Sequence, residues 1–157
     1  MRETMARTPS QIGKLAKKRG SEYELEIARN LFLELGIQFK RNLEQTRTAN
    51  AGGDLLSVDE DFPFTLELKR RRDGNMIPAG AWEQSIQSSD VKAGIYPAVF
   101  YRYDHRDTRC VVPWSSIAEA ETGNNTENIL DKADISFSKF CKLAREIMAQ
   151  RADGANN

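Results

Sequence analysis

Apolar residues recur at helical spacing between Lys17 and Leu35, and Gly36 follows at a C′-type position, so the pattern predicts a helix over residues 17–35. At about 100° per residue, Glu24, Ile27, Ala28, Leu31, Phe32 and Leu35 share one face, while Glu22, Glu26 and Leu33 stand nearly opposite. Glu24 is thereby placed inward. A buried carboxylate is costly unless it is paired, hydrogen-bonded or bound to metal, so this position requires a partner. A salt bridge near the first turn is the plainest one.

Beyond the helix, Ile37 to Arg41 predicts a short strand, and 42–53 is a polar connection ending in Ala51-Gly52-Gly53. Asp54 to Val58 reads as a strand, 59–63 as a turn and Phe64 to Arg70 as the antiparallel partner. In that last segment Thr65, Glu67 and Lys69 alternate with Phe64, Leu66 and Leu68, so a strand puts the polar trio on one face and the apolar trio on the other. Gly74, Pro78 and Gly80 mark a loop, after which Ala81 to Ala93 predicts a helix stopped by Gly94, and Tyr96 to Tyr103 an apolar strand. A strand, a helix and a strand in that order predict a right-handed parallel crossover. Cys110 to Trp114 adds a further strand. Phe137, Phe140, Cys141, Ala144, Ile147 and Met148 follow helical spacing, as a core or dimer-packing stripe. The expected organisation is a basic flexible arm over 1–16, one domain over 17–151 and a disordered tail over 152–157.

Composition alters this picture only locally. The chain of 157 residues has 23 basic and 23 acidic side chains, which argues against bulk polyanion binding. Residues 1–72, however, hold 14 basic and 11 acidic groups, and the excess concentrates in residues 1–20 and in Lys69-Arg70-Arg71-Arg72. Clusters of this kind suit phosphate contacts. Cys110 and Cys141 are far apart and lack metal-ligand spacing, which fits a reducing cytoplasm, whether of a cell or of a phage host. No apolar run approaches the roughly 18–20 residues needed to cross a bilayer, and no nucleotide-binding glycine motif accompanies Gly52-Gly53. The lone histidine, His105, lies in a polar run and reads as a hairpin-turn residue, and Trp82 and Trp114 as core aromatics before base-stacking ones.

Phosphodiester hydrolysis needs an activated water and positive charge to offset what accumulates at phosphorus and on the leaving oxygen. Asp54 and Glu67 are the candidate Mg²⁺ ligands, with the Leu68 main-chain carbonyl between Glu67 and Lys69; Mg²⁺ keeps several waters, so two carboxylates and one carbonyl suffice. Lys69 projects to the same side as Glu67 and is placed to orient water or offset negative charge. Glu24 is assigned a second metal or an outer-shell water. Mn²⁺ is expected to substitute for Mg²⁺.

The order Gly20-Ser21-Glu22-Tyr23-Glu24, then Gly52-Gly53-Asp54, Glu67-Leu68-Lys69 and Trp82-Glu83-Gln84 resembles the PD-(D/E)XK nuclease superfamily, and within it the archaeal-type Holliday junction resolvases and similar phage-encoded nucleases. The likeness spans about residues 17–104. It implies a restriction-endonuclease-like three-layer α/β core with a central mixed sheet flanked by helices. Glu24, Asp54, Glu67 and Lys69 then correspond to the catalytic positions, Arg41 to an arginine following the first helix, and Gln84 or Gln87 to a polar residue near the site. Gly53 stands where the family pattern has proline. DNA contacts are expected from Lys18, Arg19, Arg41 and Arg47, from Arg70, Arg71 and Arg72, and from Gln84. The resemblance points to branched DNA as substrate and to a homodimer, because paired strands are cut symmetrically. The alternatives are a restriction-like or replication-linked nuclease on duplex or single-stranded ends, and a catalytically silent DNA-binding module of the same fold.

Overall fold

The computed structural model describes residues 5–43 and 52–155. Its elements in chain order are α1 (Pro9–Leu35), β1 (Phe39–Arg41), β2 (Leu55–Ser57), β3 (Phe64–Arg71), α2 (Ala81–Ser88), β4 (Tyr96–Tyr103), β5 (Arg109–Pro113), α3 (Trp114–Thr122), β6 (Lys132–Ser136) and α4 (Phe137–Ala155). The six strands form one sheet in sequence order. All neighbours are antiparallel except β3 and β4, which run parallel from Phe64 opposite Tyr96 to Arg71 opposite Tyr103. The central mixed sheet flanked by helices expected from the sequence is present, and β3–α2–β4 is its parallel crossover.

Strand alternation divides the core into two layers. Leu66 and Leu68 of β3, Ala98 and Phe100 of β4 and Cys110 and Val112 of β5 face α1, α3 and α4 and join Tyr23, Ile27, Leu31, Phe140 and Ile147. Val99, Tyr101, Tyr103 and Val111 face the other way and pack with Ala81 and Trp82 of α2. Each fully buried aliphatic side chain in such layers contributes about 1.5–3 kcal/mol. Thr65, Glu67 and Lys69 belong to the α2 face, so the polar trio lies in the smaller layer.

Several boundaries differ from the sequence pattern. The first helix begins at Pro9, not Lys17, because Thr8 and Gln11 make a capping box around a proline at N1. Half of the segment expected to be a flexible arm is therefore helical. The buried stripe of α1 is Tyr23, Ile27 and Leu31, whereas Phe32 is about half exposed, so the helix is rotated from the predicted phase. The helix expected over 81–93 stops at Ser88. Ser89 Oγ donates to the Ile86 carbonyl and Asp90 Oδ1 accepts from the Ala93 N–H, diverting the chain into a separate 3₁₀ turn, Val91–Ala93. At the C-terminus α4 runs to Ala155, through part of the expected tail. Glu119 at the end of α3 is buried, accepts from Tyr96 Oη at 2.6 Å and is held bidentately by Arg151 of α4 at 2.8 and 3.0 Å, which fixes both helices to the start of β4.

Candidate active site

Asp54 sits where β2 begins, and its position is set by backbone contacts on both sides. Its N–H donates to the Leu66 carbonyl at 2.7 Å, and its carbonyl accepts from the Asn42 N–H at 2.9 Å. The buried Asn42 side chain donates to the Gly53 carbonyl at 2.8 Å. Gly53 is required by close approach: at φ +83° a Cβ there would lie 2.5 Å from the Leu66 carbonyl oxygen and 2.8 Å from Thr65 Oγ1. The same angle is closed to proline, whose ring holds φ near −65°, so the departure from the family pattern at this residue has a backbone cause.

The Asp54 carboxylate turns onto β3 and accepts from the Leu68 N–H at 2.7 Å. An extended residue projects its N–H and C=O to the same side of its strand, so the Leu68 carbonyl faces the edge where Asp54 lies. Glu67 is fully buried, with the side chains of Asp54 and of Ser88 of α2 beside it. Burial and then the Asp54 charge push the Glu67 carboxyl up to about 8, with Lys69 opposing the rise. At neutral pH Glu67 therefore retains its proton. Lys69 Nζ donates to Gln84 Oε1 at 2.8 Å. Of the two glutamines open from the sequence, Gln84 is the one that reaches Lys69. Gln84 and Ser88 are one helical turn apart, so α2 presents one to the lysine and the other to Glu67.

Glu24 does not complete a cluster with these groups. Its carboxylate is bound by Arg41 Nε at 2.6 Å, and Arg41 also donates to Ser21 Oγ at 3.0 Å. The ion-pair reading is the one realised, because the rotation of α1 moves Glu24 from the centre to the margin of the buried face, where β1 supplies a guanidinium. Among the described residues no three His, Cys, Asp or Glu side chains gather as a metal-holding group. The convergence expected of three carboxylates is thus reduced to two, Asp54 and Glu67. Two neighbouring carboxyl side chains, one of them held protonated by burial and by the charge of the other, with a carbonyl at the same edge, fit one hard divalent cation in place of that proton.

The expected DNA-binding residues divide by what already engages them. Arg70 is tied to Asp104 at 2.6 Å, and Arg41 to Glu24, so both are committed within the protein. Arg71 and Arg72 are exposed beyond the site. Lys18 is exposed on α1, where it lies 4.0 Å from Glu22, and Arg19 is exposed one residue further on. Arg47 lies outside the described residues. His105 stands in the β4–β5 turn at φ +62°, Trp82 is buried under the sheet and Trp114 is half exposed. Sequence reasoning missed Asn42 and Ser88; an asparagine directly after a strand and a serine four residues after Gln84 are the only signals that pointed to them.

A family model described as "Phage putative PDDEXK endonuclease" matches residues 15–148, and the chain belongs to this family of PD-(D/E)XK endonucleases. Among solved structures, the Holliday junction resolvase Hjc of Archaeoglobus fulgidus is similar at 14% identity and a TM-score of 0.48, covering 80% of this chain and 98% of that one. No curated protein sequence matches the chain. Among the described residues no helix is long and apolar enough to cross a membrane.

Proposed function

We propose that this protein is a Mg²⁺-dependent DNA endonuclease that hydrolyses phosphodiesters in branched DNA, with Holliday junctions as its principal substrate and a homodimer as its working form. The observation that carries the reading is the Asp54 carboxylate docked on the Leu68 N–H of β3, beside the buried Glu67 carboxyl and on the strand that also bears Lys69. Asp54, Glu67 and the Leu68 carbonyl would hold the cation, and Mn²⁺ has the same oxygen preference. When bound, such an ion polarises the phosphate and makes a coordinated water more acidic.

The remaining work falls to the side chains. Lys69 has three N–H donors and no acceptor, and Gln84 Oε1 engages one of them, so the ammonium is aimed while two donors stay available for a water or a phosphate oxygen. Water adds to phosphorus as the ester oxygen departs, and Lys69 offsets the negative charge that develops at that centre. The Leu68 N–H orients the Asp54 carboxylate. Glu24 acts here through Arg41, by fixing α1 against β1, and not as a second cation ligand.

The test is a gel assay of purified protein on a synthetic four-way junction, a flap and a linear duplex, with Mg²⁺ and with EDTA. Selective, metal-dependent cutting of the junction is expected, lost in Asp54→Asn. Preferential cutting of linear ends would shift the assignment to a restriction-like or end-processing nuclease. Absence of both cutting and carboxylate-dependent Mn²⁺ binding would make the domain a silent DNA-binding module.

A further inference from the structure

The buried stripe of α1 does not stop where the sheet does. Ile12, Ala16 and Arg19 fall on the same helix face as Tyr23 and Ile27, yet the first turns of α1 are solvent-exposed from Pro9 to Lys14 and overhang the end of β3. Beneath the overhang lies a groove of about 420 Å³ lined by Arg7, Ile12, Leu15, Ala16, Arg19 and Arg72. Three guanidinium groups thus rim an aliphatic floor, and no carboxylate lines it among the described residues. Arg72 directly follows β3, three residues beyond Lys69, which at roughly 3.3 Å per residue places it about 10 Å along the strand. The neighbouring cleft, which Arg19 also borders, is different: there Arg70 and Arg102 are paired with Asp104 and Glu26, whereas at the outer groove Arg72 lies 3.9 Å from the exposed Asp73 and keeps most of its surface open to solvent.

We propose that this groove binds an unpaired DNA segment next to the scissile phosphodiester, with phosphates on Arg7, Arg19 and Arg72 and a base face against Ile12, Leu15 and Ala16. Charge complementarity and continuity with the catalytic strand select a nucleic acid. The solvent-exposed apolar lining selects its form, because stacking within a duplex covers base faces and offers only edges and phosphates. An unstacked nucleotide at a branch or end can bury one face there while its phosphate meets the rim. This inference rests on the nuclease reading for the position of the cut, but not for binding.

The test measures binding in EDTA by fluorescence anisotropy, using labelled oligothymidylate and a blunt duplex with full-length protein. Ile12→Asp should weaken oligothymidylate binding by roughly tenfold and duplex binding by less than about twofold, and Arg72→Ala should lower the salt dependence for the single strand by about 0.7 in log–log slope. Leu33→Asp, on an exposed part of α1 away from the groove, serves as the folding and charge control. Equal losses on both probes, or no loss, would overturn the proposal. So would a change from dimer to monomer in Ile12→Asp by sedimentation, which would make the face a contact between two copies. Wild-type protein that prefers the single strand but cuts nothing in Mg²⁺ would sink the nuclease reading and leave the groove standing; wild-type protein that cuts junctions while Ile12→Asp binds normally would do the reverse.

Discussion

Glu67→Gln should make the metal-free protein more stable at neutral pH, and the size of the effect follows from where the carboxyl lies. The group is fully buried against Asp54, and its folded-state value of about 8 stands above the ordinary 4.5. Between those two values the unfolded chain ionises freely while the folded chain retains the proton. Stability is thus greatest below about 4.5 and falls as pH rises toward 8, by up to about 1.4 kcal/mol per pH unit. From pH 5 to 7.5 the loss is at most about 3 kcal/mol, and because the carboxyl is coupled to a neighbouring charge, about half is the better expectation. An amide at this position does not titrate and can still donate to Asp54. Thermal unfolding in EDTA at pH 7.5 should then show Glu67→Gln melting about 4–7 °C above wild type, with the difference shrinking to about 1–2 °C at pH 5. Millimolar Mg²⁺ should raise the wild-type midpoint at pH 7.5 and leave that of the variant nearly unmoved. A variant less stable than wild type at pH 7.5, or a difference that does not change with pH, would refute the argument that the carboxyl pair is strained by its own charge.

Lys69→Ala should abolish cleavage while junction binding, read by gel shift, changes by less than about threefold, because the lysine's charge is wanted at the reacting phosphate more than in the approach. Gly53→Ala should cost at least about 2 kcal/mol in urea unfolding and remove activity, since a Cβ would strike the Leu66 carbonyl and a positive φ must be kept. Glu22→Gln should be neutral for both stability and cutting, whereas Glu24→Gln should lose about 1 kcal/mol of stability through the Arg41 pair and lower activity only in proportion to misplacement of α1. Glu119→Ala leaves the Arg151 guanidinium and the Tyr96 hydroxyl without their buried acceptor; a loss of about 3 kcal/mol in equilibrium unfolding with unchanged junction affinity is expected.

What the sequence reveals of the fold depends on how far each contact reaches. The alternation over Phe64–Arg71 identifies β3 and its two faces because a period of two is a local property, and Gly36 and Gly80 mark ends that the structure keeps, whereas Gly94 closes the 3₁₀ turn Val91–Ala93 and not the helix. The early start of α1 is also local. Thr8-Pro9-Ser10-Gln11 is a capping signal, but Pro9 and Gly13 invite reading as breakers when a first-turn proline is in fact accommodated. By contrast, β6 is half exposed along Lys132–Ser136, and α3 packs on α4 with its serines and Glu119 buried, so neither carries an apolar periodicity of its own. Their placement is decided by partners more than a dozen residues away, such as Pro113 opposite Lys132 and Arg151 against Glu119.

The active site shows the same limit from the chemical side. Residue identity and strand spacing suffice to bring Glu67 and Lys69 onto one face, and the Gly-Gly-Asp run points to a close backbone approach. They do not say that Asp54 spends one carboxylate oxygen on the Leu68 N–H, taking the place that a backbone carbonyl would occupy if β2 continued. That substitution stops the β2–β3 ladder at the start of β2, so the strand's boundary and the site are one structural event. Glu24 is engaged by the Arg41 guanidinium of β1, in a charge-assisted hydrogen bond at 2.6 Å that strand spacing alone does not reveal. The buried Glu67 carboxyl lies beside Asp54, while the neighbouring Lys69 ammonium is held by Gln84. Burial and the Asp54 charge both disfavour the ionised Glu67 carboxyl, and a bound divalent ion would offset both, which makes the site's energetics and its proposed chemistry the same problem.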